Sequence, residues 1–132
     1  MLSRPPPWPE SLEPLAREIG RRMAELLAGV VLVGDGTERL RDLALEAGMP
    51  EEALHRVEGG ARAAVALLRG LLRPGDTVLV KGRVYQKLER VVLALAGEAV
   101  TCDLAHCGAG GLACVECAMR TRGWGDGRRV LR

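Results

Sequence analysis

Apolar residues recur along the chain at two different spacings, separated by polar or glycine-rich breaks. From 11 to 28, Leu12, Leu15, Ile19, Met23 and Leu26 return every three or four residues. Arg17, Glu18, Arg21, Arg22 and Glu25 fall mostly between them. That spacing predicts an amphipathic helix whose apolar stripe faces a core. Ser11 stands at the N-cap position and Gly29 ends the helix. Val30 to Val33 is a short uncharged β-branched run, the pattern of a buried strand. A second helix is expected from Glu38 to Ala47, stopped by Gly48 and Pro50.

Ala53 to Val57 reads as another short strand, with His55 in it, and Gly59-Gly60 breaks the chain. Ala61 to Leu72 repeats at helical spacing, with Val65, Leu68 and Leu72 on the side expected to be buried. Arg73-Pro74-Gly75-Asp76 is a turn. Thr77 to Val80 then reads as a strand buried on both faces, ended by Lys81-Gly82. Leu88, Val91, Val92 and Leu95 predict a helix, and Ala99 to Cys102 a last strand. Strands alternating with helices predict an α/β fold built on a mostly parallel sheet.

Bulk properties narrow the function classes. The 132 residues suffice for one modest core, and 48% hydrophobic with 27% charged residues is ordinary globular material. A net charge of +2 gives no general case for nucleic-acid binding. No apolar run approaches the ~20 residues that span a bilayer. The N-terminus lacks the charged-then-apolar pattern of a signal peptide, so no membrane partner and a cytoplasmic location are expected. His55 has no Ser, Cys or carboxylate pattern beside it that would suggest a triad.

Gly34-Asp35-Gly36-Thr37 joins the strand at Val33 to the helix at Glu38. A glycine loop opening a helix can hold an anion on free backbone N–H groups. Only two of the three glycines of the dinucleotide fingerprint are present, and a tight turn capped by Thr37 explains the same residues.

Arg73-Pro74-Gly75-Asp76-Thr77-Val78-Leu79-Val80-Lys81-Gly82, followed by Lys87-Leu88-Glu89-Arg90-Val91-Val92, resembles the end of the C-terminal domain of the Mur ligases. Within that family it is most similar to the MurF branch, the UDP-N-acetylmuramoyl-tripeptide–D-alanyl-D-alanine ligases. Leu15 to Arg21, Val31 to Gly34 and the turn Ala47 to Pro50 agree in order, and the resemblance covers roughly residues 10 to 97. It implies a small Rossmann-like three-layer α/β domain over 10–101. It also implies a nucleotide or peptidoglycan-precursor ligand near Gly34, Asp35, Lys81 and Arg83, at the strand ends where such folds bind ligands.

The chain also departs from the family. Where the family has Ser-Arg-Gly-Met after Lys-Gly, this sequence has Arg83-Val84-Tyr85-Gln86. The family's first strands and its nucleotide-binding central domain have no counterpart. ATP-dependent ligation needs nucleotide, metal and acceptor held together, so the chain alone is not expected to catalyse it. The shortened sheet would leave an edge, next to Val30 to Val33, that favours a homodimer or a partner subunit.

Cys102, Cys107, Cys114 and Cys117 fall outside the resemblance, with gaps of four, six and two residues. Four thiolates in a glycine-rich loop suit a tetrahedral Zn²⁺. An iron–sulfur cluster uses the same ligands, though the spacing matches neither usual ferredoxin run. Disulfides and free thiols remain open, and His106 could replace a neighbouring cysteine. Four protein ligands would close the coordination sphere, so the metal would be structural and no catalytic residue is assigned.

Two ends complete the organisation. Residues 1–9, with Pro5-Pro6-Pro7-Trp8-Pro9, read as a stiff polyproline arm. Residues 118–132 are Arg-rich and read as a solvated basic tail. The function expected is a zinc-stabilised, non-catalytic binding or assembly module. The alternative is one piece of a split ATP-dependent Mur-type ligase, or, further off, a small redox protein.

Overall fold

Residues 9–123 are described by the structure, a computed structural model. The Pro-rich run up to Trp8, and the tail from Trp124 on, lie outside the described residues. The fold is mixed α/β and divides into two units, one running to Glu58 and one beginning at Gly59.

The first unit is a parallel βαβ element with a helix in front of it. A 3-10 turn at Glu10–Leu12 leads into α1 (Glu13–Leu26), then β1 (Val30–Val33), α2 (Glu38–Glu46), a second 3-10 turn at Glu51–Ala53, and β2 (Leu54–Val57). β1 and β2 pair in parallel, Val30 opposite Leu54 and Val33 opposite Val57. Parallel neighbours need a crossover, and α2 supplies it. α2 stops as expected: Gly48 has φ +97°, its N–H reaches the Leu45 carbonyl, and the Met49 N–H reaches Ala44. Met49 thereby turns inward to join Met23, Leu32, Ala44 and Leu54 in the core.

The buried face of α1 is not the predicted stripe. Of that stripe only Met23 is buried, while Leu15 is 56% and Leu26 is 69% exposed. The helix instead buries Ala16, Gly20 and Met23. The reason is a close helix crossing. A Cβ on Gly20 would lie 2.9 Å from the Leu43 carbonyl carbon, so small residues set the contact with α2. Ser11 lies inside the 3-10 turn rather than at a cap, and α1 starts with Pro14 in its first turn.

The second unit contains α3 (Ala61–Leu71), α4 (Glu89–Leu95), α5 (Met119–Arg122) and 3-10 turns at Val84–Gln86 and Cys114–Glu116. Among the described residues it has no strand, which corrects the expectation at both Thr77 to Val80 and Ala99 to Cys102. The Thr77 segment is exposed rather than buried, and Leu79 is 82% exposed. The Thr101 and Cys102 N–H groups do find an acceptor, the Arg120 carbonyl at 2.8 and 3.1 Å, so they serve a loop instead of a ladder. Asp103 anchors the same loop to α3: its carboxylate accepts the Arg62 N–H at 3.0 Å, near the helix start. α4 buries Arg90 and Val91, whereas Val92, expected inside, is 51% exposed.

Candidate metal centre

Lys87 precedes α4 in the left-handed region, at φ 49°, and is the one non-glycine there among the described residues. That conformation costs about 1 to 2 kcal/mol for an ordinary residue. It is held because the side chain has a destination inside. Lys87 is 4% exposed, and its Nζ donates to the carbonyls of Gly110 at 3.2 Å and Leu112 at 2.6 Å. Gly82 makes room for the turn, since a Cβ there would meet the Leu88 side chain at 2.6 Å.

One turn on, Arg90 is 1% exposed and the largest fully buried side chain of the described residues. Its Nε donates to the Lys87 carbonyl, and its Nη2 to those of Gln86 and Leu104. Its Nη1 donates to the carbonyl of Cys102 at 3.1 Å and to the Cys102 sulfur at 3.4 Å. Between the two cations, the Glu89 carboxylate accepts the Cys114 N–H at 2.9 Å. Lys87, Glu89 and Arg90 thus hold the cysteine segment at Gly110, Leu112, Cys114, Cys102 and Leu104.

A backbone pattern repeats across this clamp at an offset of thirty positions. Gln86 N–H bonds the Arg83 carbonyl and Arg90 N–H the Lys87 carbonyl. Likewise Glu116 N–H bonds Ala113, and Arg120 N–H bonds Cys117. Each copy is a 3-10 turn, a short gap and a helix, and the arginines occupy equivalent places. The second arginine is not satisfied. Arg120 keeps Nε and Nη1 buried without a hydrogen bond, and the nearest carboxylate, on Glu98, is 3.6 Å from Nη1.

One carboxylate, that of Glu89, stands beside Cys114 together with the cations of Lys87 and Arg90. Neither Lys87 nor Arg90 forms a salt bridge among the described residues; their partners are carbonyls and one sulfur. Burial of an unpaired charge is costly even when hydrogen-bonded. Cys114 is buried, and burial, together with the Glu89 carboxylate, pushes its thiol up to about 12. Cys102, Cys107 and Cys117 are half-buried and none is in a disulfide. Cys107 is fixed by its N–H to the Tyr85 carbonyl, and the His106 ring beside it stacks on Tyr85 at 4.4 Å. Arg90 and Cys102 also line a cleft of about 240 Å³ with Ala61, Val65 and Ala94.

No three His, Cys, Asp or Glu side chains of the described residues stand close enough together to form a metal site. Cys102 and Cys114 are therefore held by one clamp, without the four cysteines being gathered into a ligand set.

The residues expected to face a ligand are distributed over both units. Gly34 and Gly36 have positive φ, +82° and +78°, as the loop requires. The Gly34 N–H is spent on the Val57 carbonyl at 2.9 Å. Thr37 makes no cap bond to the helix; its hydroxyl donates to the Gly34 carbonyl and accepts from Arg56 Nε. Asp35 is exposed, and Glu38 places a carboxylate in the first turn of α2. The loop is a tight turn with acidic groups, a poor place for an anion. In the second unit Lys81 and Arg83 are exposed, and Arg83 Nη1 donates to the Tyr85 hydroxyl at 3.2 Å.

Lys87, Glu89 and Arg90 carried a signal in the sequence that spacing alone did not expose. Glu89 and Arg90 open an otherwise apolar helix, and Lys87, just before it, is one of only two lysines in the chain. No helix among the described residues is long and apolar enough to cross a membrane. Comparison of the chain with protein-family models, curated proteins and solved structures finds no match.

Proposed function

We propose that the chain is a non-catalytic binding and assembly module of the Mur-ligase C-terminal type, stabilised by a structural zinc on Cys102, Cys107, Cys114 and Cys117. The observation behind the assembly role is the segment Thr77 to Val80. Its sequence is strand-forming, Leu79 is 82% exposed, and no hydrogen bond involves the backbone from Thr77 to Gly82 among the described residues. An exposed apolar segment with free N–H and C=O groups is a template for strand pairing. A twofold axis lets such a segment pair with its own copy and needs no second complementary surface, which favours a homodimer. The parallel β1–α2–β2 unit supports a Rossmann-like layered domain whose sheet is completed in the assembly.

Zinc with four thiolates would be closed to substrate, so it would contribute folding energy and no chemistry. A second reading, a subunit of a split ATP-dependent ligase, is favoured by Lys81, exposed and without a partner among the described residues directly after the strand-forming segment. A dilution series by sedimentation velocity tests the first reading: a dimer at micromolar concentration is expected, and a monomer throughout would overturn it. ATP turnover on mixing with a nucleotide-binding partner chain, lost in Lys81→Ala, would transfer the case to the second.

A further inference from the structure

We infer that the cleft between α3 and α4 in the second unit binds a small dianion with an apolar middle, of the class of a medium-length aliphatic dicarboxylate. The inference goes beyond the assembly and zinc readings and needs neither a metal nor the segment Thr77 to Val80.

The site is built on one face of α3. Arg62, Val65, Ala66 and Arg69 line the cleft, so a cation, an apolar pair and a second cation follow one another along the helix. At a rise of about 1.5 Å per residue, the Cα atoms of the two arginines stand about 10.5 Å apart along the axis. Ala94 of α4 and Val100 form the opposite wall. Each guanidinium reaches across to that side. Arg62 Nη2 donates to the Thr101 carbonyl at 3.0 Å, and Arg69 Nη2 to the Ala94 carbonyl at 3.2 Å. Those are the only hydrogen bonds of the two guanidiniums among the described residues, and the other N–H donors of each fork are free for a ligand. Between the arginines the walls offer alanine and valine, with no hydroxyl or amide side chain to hold a polar body. A cleft of about 240 Å³ suits a small molecule, since ordinary ligand pockets begin near ~300 Å³.

The charge of the cleft matches a dianion. Three arginines and one glutamate line it, a formal charge of plus two. The carboxylates in and around it are already engaged. Glu98 pairs with Arg120 at 3.6 Å, Asp103 accepts the Arg62 backbone N–H, and Glu89, next to Arg90, accepts the Cys114 N–H. Arg90 adds positive charge but no donor, because its five N–H groups are spent on Lys87, Gln86, Leu104 and Cys102. Every described arginine of the first unit, by contrast, has a carboxylate in salt-bridge contact, whereas Arg62 and Arg69 have none among the described residues. A monoanion with an apolar tail would leave one guanidinium facing hydrocarbon. A compact dianion would leave the apolar walls uncovered. A dicarboxylate gives each guanidinium the planar two-oxygen partner that it matches, and lays its methylenes on Val65, Ala66, Ala94 and Val100.

The test is isothermal titration calorimetry on the full chain at low ionic strength, with suberate, the eight-carbon dicarboxylate, as the probe. Octanoate keeps the chain and drops one carboxylate; succinate keeps both carboxylates and drops the long middle. One suberate per chain is expected, with octanoate and succinate each weaker by about tenfold or more. Arg62→Gln and Arg69→Gln should each weaken suberate binding by about 10- to 100-fold. Ala66→Leu, which fills the space between them, should abolish it. Arg73→Gln, outside the cleft, should leave it unchanged. All four positions are exposed, so the variants leave the core intact.

No suberate binding, equal affinity for the three probes, or unchanged binding in both Arg62→Gln and Arg69→Gln would overturn the inference. If a variant does not fold, the probe series on the unaltered chain still decides. Sedimentation and metal content read the assembly and zinc proposals separately: a metal-free monomer that binds suberate would defeat those and leave this site standing.

Discussion

The Nη1 group of Arg90 donates at once to the carbonyl oxygen and to the sulfur of Cys102, at 3.1 and 3.4 Å. A helix residue and a loop residue twelve positions later are thereby locked by one side chain. The same guanidinium satisfies carbonyls of Gln86, Lys87 and Leu104, so the loop from Cys102 to Leu104 is ordered by a charge and not by a sheet.

Arg90→Met should therefore destabilise the chain far beyond a surface change. Buried carbonyls lose a charged donor, and each such bond is worth about 1.5 to 3 kcal/mol. A loss of about 3 kcal/mol or more is expected in urea unfolding, with Arg90→Lys recovering only part. Equal midpoints for wild type and Arg90→Met would refute the clamp.

Gly20→Ala tests the crossing of α1 and α2. The added Cβ would sit 2.9 Å from two Leu43 atoms and 3.1 Å from the Ala44 nitrogen. Alanine is the better helix former, yet backbone atoms cannot move aside cheaply, so overpacking should win and cost about 1 to 3 kcal/mol. A rise in thermal midpoint would show that the helices separate without penalty.

Leu79→Lys separates folding from assembly. The side chain is 82% exposed, so the stability of the isolated chain should change by less than about 0.5 kcal/mol. A lysine on a pairing edge opposes association. Sedimentation should show the dimer of the wild type lost in this variant, and an unchanged dimer would place the interface elsewhere.

Chelation tests the zinc. A strong chelator should lower the thermal midpoint of the zinc-loaded chain, because a ligand at 1,000 times its dissociation constant stabilises by about 4 kcal/mol. Cys114→Ser should abolish that response. A chelator-insensitive midpoint in the loaded protein would remove the metal from the folding energy.

Acid stability should depend on Glu13. Its hydrogen bond to Arg39 holds the carboxyl below its ordinary value of 4.5, helped by the charges of Arg39 and Arg17. A depressed carboxylate contributes stability that is present above 4.5 and is lost as pH falls through the lower folded value. Glu13→Gln should flatten the fall in stability below that pH and change nothing in its slope near pH 8. An identical acid limb in both proteins would show that the ion pair gives no net stabilisation.

Local pattern was enough for the elements whose neighbours are close in sequence. The βαβ unit was legible because Val30 to Val33, the helix from Glu38, the stop at Gly48 and the strand ending at Val57 are set by short-range propensities. α3 was placed almost to the residue for the same reason. The cysteine spacing predicted a metal-ligand set, which is not gathered among the described residues, and it did not expose Lys87, Glu89 and Arg90, which order that segment.

Local sequence was sufficient for the helices, the paired strands β1 and β2, the glycine turns and the supply of four thiols in one stretch. Tertiary structure decided which face of α1 is buried, because Gly20 and Ala16 permit an approach to α2 that larger residues forbid. It decided that Thr77 to Val80 is no strand, since strand propensity forms a ladder only where a partner offers hydrogen bonds. It also decided that Lys87 and Arg90 lie inside. Burial of a charge depends on acceptors brought from Cys102, Leu104, Gly110 and Leu112, and nothing in the spacing of Lys87 and Arg90 reveals where those carbonyls will be.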